Sequence, residues 1–321
     1  MELLLEPEDR GYPAEYLLSR IRGRRAGLRR DWKTLIFDTA PLDAHLSSRS
    51  RGSVVEASPD AAWRRLMKEY RWVYGQMNGR LRDLFRPFFL YAELKTICIC
   101  LRRMKDRPSA QGEEFFAESL LSNELRTVCL SSPDRSIAIA AISRIFGRLS
   151  PAFADLPKYF VDEGLRGVEH RLTGRFLEYA AQQKLHVLIK TFIVRLIDAR
   201  NLIRLAVSVQ QETVSIPDFT AFGSLPGEQL ARIQQQKDLM AVGVLVRQYA
   251  GVKTELHDPS QIEHALYRAT TRYLKQAERD TPGVGTILDY LWRCSIEAMN
   301  MSILFHGRNL EREVLANELV S

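Results

Sequence analysis

Apolar positions recur at helical spacing along almost the whole chain. Tyr16, Leu17 and Ile21 mark the apolar side of a first helix from Ala14 to about Ala26, with Pro13 in its first turn. Trp63, Leu66, Tyr70, Val73, Met77, Leu81 and Leu84 then follow in steps of three and four. That unbroken stripe predicts one long amphipathic helix, started by Ser58-Pro59-Asp60 and broken at Arg86-Pro87. Residues 88–104 are apolar nearly all round, which implies a helix with neighbours on several sides, and Lys105-Asp106-Arg107-Pro108 stops it. Residues 39–57, with Pro41, Gly52 and several serines, read as a mobile loop.

The plan then returns twice. Ser132-Pro133-Asp134 opens a helix carrying Ile137, Ala141, Ile142 and Ile145. Leu165, Val168, Leu172, Phe176 and Tyr179 form the next long stripe, and residues 185–209 the next buried segment. Ile216-Pro217-Asp218 and the run from Phe222 to Gly227 punctuate the passage to the third copy. There Leu230, Ile233 and Leu239 lead to an apolar run at 242–246. Asp258-Pro259 caps a helix with Ile262, Leu266, Ala269 and Tyr273 at helical spacing. Pro282-Gly283-Val284-Gly285 breaks the chain before the last buried segment, 287–308, and residues 310–320 read as a final short helix. No alternating run of Val, Ile and Thr is bounded by turns, so the fold is expected to be all-α.

The buried segments share a polar signature. Glu297 and Asn300 lie one helical turn apart in the last, and Asp198 and Asn201 in the middle one. Glu93 stands at the matching place in the first, where Leu90 replaces the acid. Aligned on positions 93, 201 and 300, the copies are 108 and 99 residues apart. A period near one hundred residues predicts three domains, 1–110, 111–212 and 213–321, each a helical hairpin with a buried second helix. Such hairpins either surround a common axis or stack as a short solenoid.

Charge narrows the class of partner only slightly. The 46 basic against 39 acidic residues give +7 and a pI near 9.3, which favours an acidic protein, an anionic membrane surface or nucleic acid without choosing among them. Arg20, Arg22, Arg24, Arg25, Arg29 and Arg30 crowd the first helix, as a solvated or partner-facing surface or as a polyphosphate-binding strip. Cys98, Cys100, Cys129 and Cys294 form no C-x-x-C pair and sit in apolar helical runs, so they read as buried reduced thiols of a cytosolic protein. The acidic N-terminus resembles neither a signal nor a transit peptide, and no run reaches the length of a membrane span.

Catalytic chemistry finds no foothold. The six histidines are scattered without a ligand set, so no metal is expected. Phosphate-binding Gly loops, a nucleophile elbow and an Asp-rich metal-diphosphate helix are all missing, and neither cofactor nor enzymatic activity is expected. Asp198 with Asn201, and Glu297 with Asn300, share helix faces as acid/base partners would. Burial and repetition favour a structural clamp instead, in which each buried carboxylate and amide ties down a neighbouring element.

Several segments resemble one known family. Residues 287–308, with Glu297-x-x-Asn300-Met301, are similar to the C-terminal signature of the C-type stalk proteins of V-type and A-type ATPases, whose eukaryotic counterpart is the d-type protein. Asp198-Ala199-Arg200-Asn201-Leu202 resembles the middle copy of that signature. Tyr16 followed by Arg20-Ile21-Arg22 resembles the family's opening helix, and Phe222-Gly223-Ser224-Leu225 its Gly-containing lead-in to the last domain. The resemblance implies three similar helical domains in a funnel-like, pseudo-threefold body. It implies a non-catalytic central-stalk rotor part that links the membrane rotor ring to the central shaft. The partners would be ring and shaft subunits, at the cytoplasmic side of the membrane and within reach of lipid headgroups. Arg20, Arg22, Arg24 and Arg25 are the first candidates to meet a partner. The rival reading is a helical nucleic-acid-binding module built on the same arginines, which added salt would weaken steeply.

Overall fold

A computed structural model describes residues 3–29, 31–37, 59–104, 116–211, 217–281 and 283–320. Arg30, the 39–57 segment, the Ser58 start signal, the Lys105–Pro108 stop, Ile216 and Pro282 lie outside the described residues. Among those described, all regular elements are helical. They are α1 (Ala14–Arg25), α2 (Trp32–Phe37), α3 (Pro59–Gln76), α4 (Gly79–Arg103), α5 (Asn123–Ser131), α6 (Arg135–Gly147), α7 (Leu156–Gln182), α8 (Val187–Gln210), α9 (Gly227–Gln236), α10 (Leu239–Ala250), α11 (Pro259–Asp280), α12 (Val284–His306) and α13 (Arg312–Glu318), with a 3-10 turn at Pro151–Phe153. The protein is all-α.

Contacts divide the chain into two compact units whose segments interleave in sequence. The first holds Met1–Tyr12, Arg71–Asp198 and Phe219–Ser224. The second holds Pro13–Tyr70, Ala199–Asp218 and Leu225–Ser321.

In the first unit, α7 packs against α4 and α6, and α5 against α4 and α6. Phe85, Phe89, Ile97 and Leu101 of α4 are fully buried, as are Leu172 and Leu177 of α7. The expected Ser132-Pro133-Asp134 start is shifted to its last residue: Ser132 ends α5, and Asp134 caps α6, its carboxylate accepting from the Ile137 amide at 2.9 Å, a cap worth about 1 kcal/mol. The helix α7 is interrupted at Gly164, whose φ of 68° and ψ of −159° belong to a region only glycine occupies readily.

One expected boundary is corrected. The stripe from Trp63 to Leu84 is carried by two helices, because the chain turns at Met77–Asn78. The Asn78 side chain accepts from the Leu81 amide at 3.0 Å and starts α4 there. Asn78-Gly79 is itself a turn signal, and the regular apolar steps on either side outvoted it. Pro87, expected to be the break, lies inside α4. It forgoes one ladder bond there, and the burial of Phe85, Phe88 and Phe89 around it stabilises the helix against that loss.

In the second unit, α11 and α12 form the most extensive helix pair, flanked by α10 on α11 and by α1 on α12. Asp258 caps α11 through the Gln261 amide at 2.8 Å. Trp32, Leu35 and Ile36 of α2 join Leu304, Leu315, Ala316 and Leu319 in one buried cluster, so the C-terminal helix is held by apolar packing. On α1, Leu17 and Ile21 are fully buried, whereas Tyr16, expected on the same side, is 40% exposed. Its ring instead carries Arg20, whose guanidinium lies 5.6 Å from the ring centre.

Candidate functional site

Three of the polar positions read from the buried segments do the same local work, although Asp198 stands one turn before Asn201, the residue that aligns with Glu93 and Asn300. Each is a buried side chain on a long helix that binds the backbone of a strap further along the chain. Glu93, on α4, is fully buried. Its carboxylate accepts from the Leu120 amide and from the Ser119 hydroxyl, the latter at 2.9 Å. Burial pushes the Glu93 carboxyl up, while the bonds from Leu120 and Ser119 and the charge of Arg126 oppose that rise. The strap it holds is paired on its other side with the N-terminal segment: Leu5 N–H donates to Leu120 O at 2.7 Å and Ser122 N–H to Leu3 O at 2.9 Å. Arg82 extends this anchorage by donating to the carbonyls of Pro7 and Glu8.

Asp198, on α8, is 1% exposed. It accepts from the Ser224 amide at 2.8 Å and from the Ser224 hydroxyl at 2.6 Å. A Cβ at Gly223 would collide with Asp198 Oδ1, so only glycine lets the strap pass this close. Beside it, Phe222 takes a φ of +67°, uncommon for a bulky residue, and the two bonds from Ser224 hold the turn that imposes it.

Asn300, on α12, is fully buried and binds both polar groups of one residue. Its Nδ2 donates to Val320 O at 2.7 Å, and Val320 N–H donates to Oδ1 at 3.0 Å. An amide suits this place because the strap presents both an acceptor and a donor, whereas Leu120 and Ser224 present donors and are met by carboxylates. The three grips reach 27, 26 and 20 residues ahead.

Asp198 and Asn300 each reach a partner outside the pair seen in sequence, Ser224 and Val320. Asn201 is buried one turn beyond Asp198. Glu297 is half-buried and lines a cavity of about 160 Å³ in the second unit, together with Arg24, Arg65, Glu69, Tyr290 and Cys294. There Tyr290 donates to Glu69 at 2.6 Å, and burial, with Cys294 and Glu69 adding to it, pushes the Tyr290 phenol up.

The four candidate arginines of α1 divide by partner. Arg25 binds Glu278 and the fully buried Asp289, the latter at 3.0 Å, and Arg293 reaches the same Asp289 at 2.7 Å. Burial works against the Arg25 charge, but Glu278 and Asp289 more than offset it and keep the guanidinium charged. Arg24 donates to Glu69 at 2.9 Å. Arg20 lies over Tyr16, and Arg22 is exposed. Sequence reading missed Arg82, which donates to carbonyls of the N-terminal segment, and Arg126, which donates to the Ser119 carbonyl of the strap. Nothing in the spacing of isolated arginines distinguishes a backbone-gripping one from a solvated one.

Among the described residues, no group of three or more His, Cys, Asp or Glu side chains is placed to hold a metal, and no helix is long and apolar enough to cross a membrane. All four cysteines are buried. The geometry defines a class: an all-helical protein in which repeated buried side chains hold straps in place. A family model described as ATP synthase (C/AC39) subunit matches residues 46–316. The chain belongs to this family, the C-type and d-type proteins of V-type and A-type ATPases. Comparison with individual curated proteins gives no match. Family membership makes the chain part of a membrane-associated ATPase, with its partners inside that complex.

Proposed function

We propose that the chain is a non-catalytic central-stalk rotor subunit that links the membrane rotor ring to the central shaft and passes torque between them for ion transport. In this reading it sits peripherally at the cytoplasmic side of the membrane. Domains 1–110, 111–212 and 213–321 form a funnel-like body of three similar parts. Family membership supports this reading, and so does the repeated clamp, which is the single observation that carries it. A part that transmits force through noncovalent interfaces needs straps that do not peel away. Buried bonds from Glu93, Asp198 and Asn300 resist peeling, since releasing any of them leaves buried polar groups without partners. The chemistry of such a part is mechanical, with no bond made or broken in it. Arg20 and Arg22 are the members of the α1 cluster assigned to a partner, and Arg24 and Arg25 brace α1 within its unit. Nothing among the described residues favours the nucleic-acid reading.

Co-purification with the ring and shaft subunits of the ATPase from the same source tests this function. The chain is expected to bind both when they are offered separately. Failure to bind either, under conditions where those subunits otherwise assemble, contradicts it.

A further inference from the structure

We propose that the C-terminal segment, residues 312–320, is a proton-sensitive latch that His264 controls. The segment is held on two sides of different chemistry. On one side Leu315, Ala316 and Leu319 pack against Trp32, Leu35, Ile36 and Leu304, a contact indifferent to pH. On the other, every grip is polar. Ser260 Oγ donates to Glu318 Oε2 at 2.9 Å, Arg268 donates to Leu319 O at 3.3 Å, and Asn300 binds both backbone groups of Val320.

His264 stands among these grips on α11, 8% exposed, with Nε2 3.8 Å from the same Glu318 Oε2. The charged groups that face it are Glu318 from α13, and Arg268, Glu263 and Asp258 from α11 and its start. Burial disfavours the imidazolium most. Glu318 opposes that effect, Arg268 adds to it, and the carboxylates of Glu263 and Asp258 restore part of the difference. The net direction is downward from the ordinary value of 6.5. A histidine whose pKa is lowered in the closed form takes up its proton more readily once the segment lifts and water reaches the ring. The latch is therefore fully closed above pH 6.5 and weakens as pH falls below it, toward the lowered pKa. The two bonds between Asn300 and Val320 involve no ionisable group, so the pH response is carried on the α11 side, where His264 meets Glu318.

Linkage to a single proton limits the effect to about a tenfold rise in the opening constant per pH unit. Hydrogen exchange of the full-length chain between pH 7.5 and 5.5, corrected for the intrinsic exchange rate, reads it directly. Peptides covering 308–320 are expected to lose protection below pH 6.5 by up to that factor, while peptides inside α11 keep theirs. Unchanged protection of the C-terminal peptides at pH 5.5 overturns the proposal, as does a loss that persists undiminished in His264→Gln. If circular dichroism at pH 7.5 shows that variant misfolded, Glu318→Gln decides. Removing the carboxylate that favours the imidazolium lowers the ring's pKa in the closed form further, so the loss of protection per pH unit becomes steeper below pH 6.5. A shallower or unchanged response in that variant also overturns the proposal.

Discussion

Asn300 shows at the scale of one residue how little chemistry the repeat requires. Two hydrogen bonds at 2.7 and 3.0 Å fix the last described residue of the chain. Asn300→Ala leaves the amide and carbonyl of Val320 buried without partners, and the expected loss is about 2–4 kcal/mol of unfolding free energy, measured by denaturant titration. Glu93 offers a second test, with a pH signature. Its carboxyl is raised in the folded chain, so folding favours its protonated form. The usual carboxylate case is reversed: stability rises as pH falls through the raised pKa and levels off near the ordinary value of 4.5. Glu93→Gln keeps an acceptor for Leu120 and removes the titrating group. It is expected to abolish that rising component in thermal melts followed from pH 8 to pH 5, while Glu93→Ala lowers stability at every pH.

At this scale the sequence was informative about where and silent about what. Positions 93, 198 and 300 were legible because a polar group inside an apolar helix has to be satisfied. Their partners, Leu120, Ser224 and Val320, were not legible, because each contributes backbone groups that any residue carries. The same limit hid Arg82 and the cavity that Glu297 lines.

Elements were read well where one signal dominated and poorly where two competed. Helix α11 begins where its Asp258 cap predicts, and α6 begins within its expected Ser132-Pro133-Asp134 start, at the Asp, since a side-chain acceptor for the first amides fixes the start locally. The α3–α4 boundary failed because apolar periodicity continues through Met77 while the turn is decided by Asn78 and Gly79. The break in α7 at Gly164 was also unread, since a glycine inside a helical stripe is usually tolerated as helix. Its dihedral angles make a clean test. No atom lies within 4 Å of a Cβ built there, so Gly164→Ala is expected to cost about 1–3 kcal/mol from backbone strain alone. Equal stability of the variant in a chemical melt contradicts the observed conformation. Gly223→Ala differs in mechanism: the added methyl strikes Asp198, so faster exchange at Ser224 is expected along with the destabilisation.

For the whole molecule, the distribution of arginine roles decides what partner binding will show. Arg25 is bound to Glu278 and Asp289, so Arg25→Ala is expected to lower stability by leaving the buried Asp289 with Arg293 alone. Arg20→Glu with Arg22→Glu is expected to leave the melting temperature within a few degrees and to weaken binding to an acidic partner. That binding loss shrinks as salt is added. A large stability loss in the double variant, measured by calorimetry, places those side chains among the internal braces instead.

The central claim concerns coupling, and one measurement addresses it most directly. An ATPase complex depleted of this chain and then given it back is followed for ATP hydrolysis and for ion translocation together. Translocation driven by hydrolysis is expected to be lost on depletion and restored on addition, with no hydrolysis by the chain alone. Translocation that proceeds undiminished without the chain contradicts its role as the link between shaft and ring.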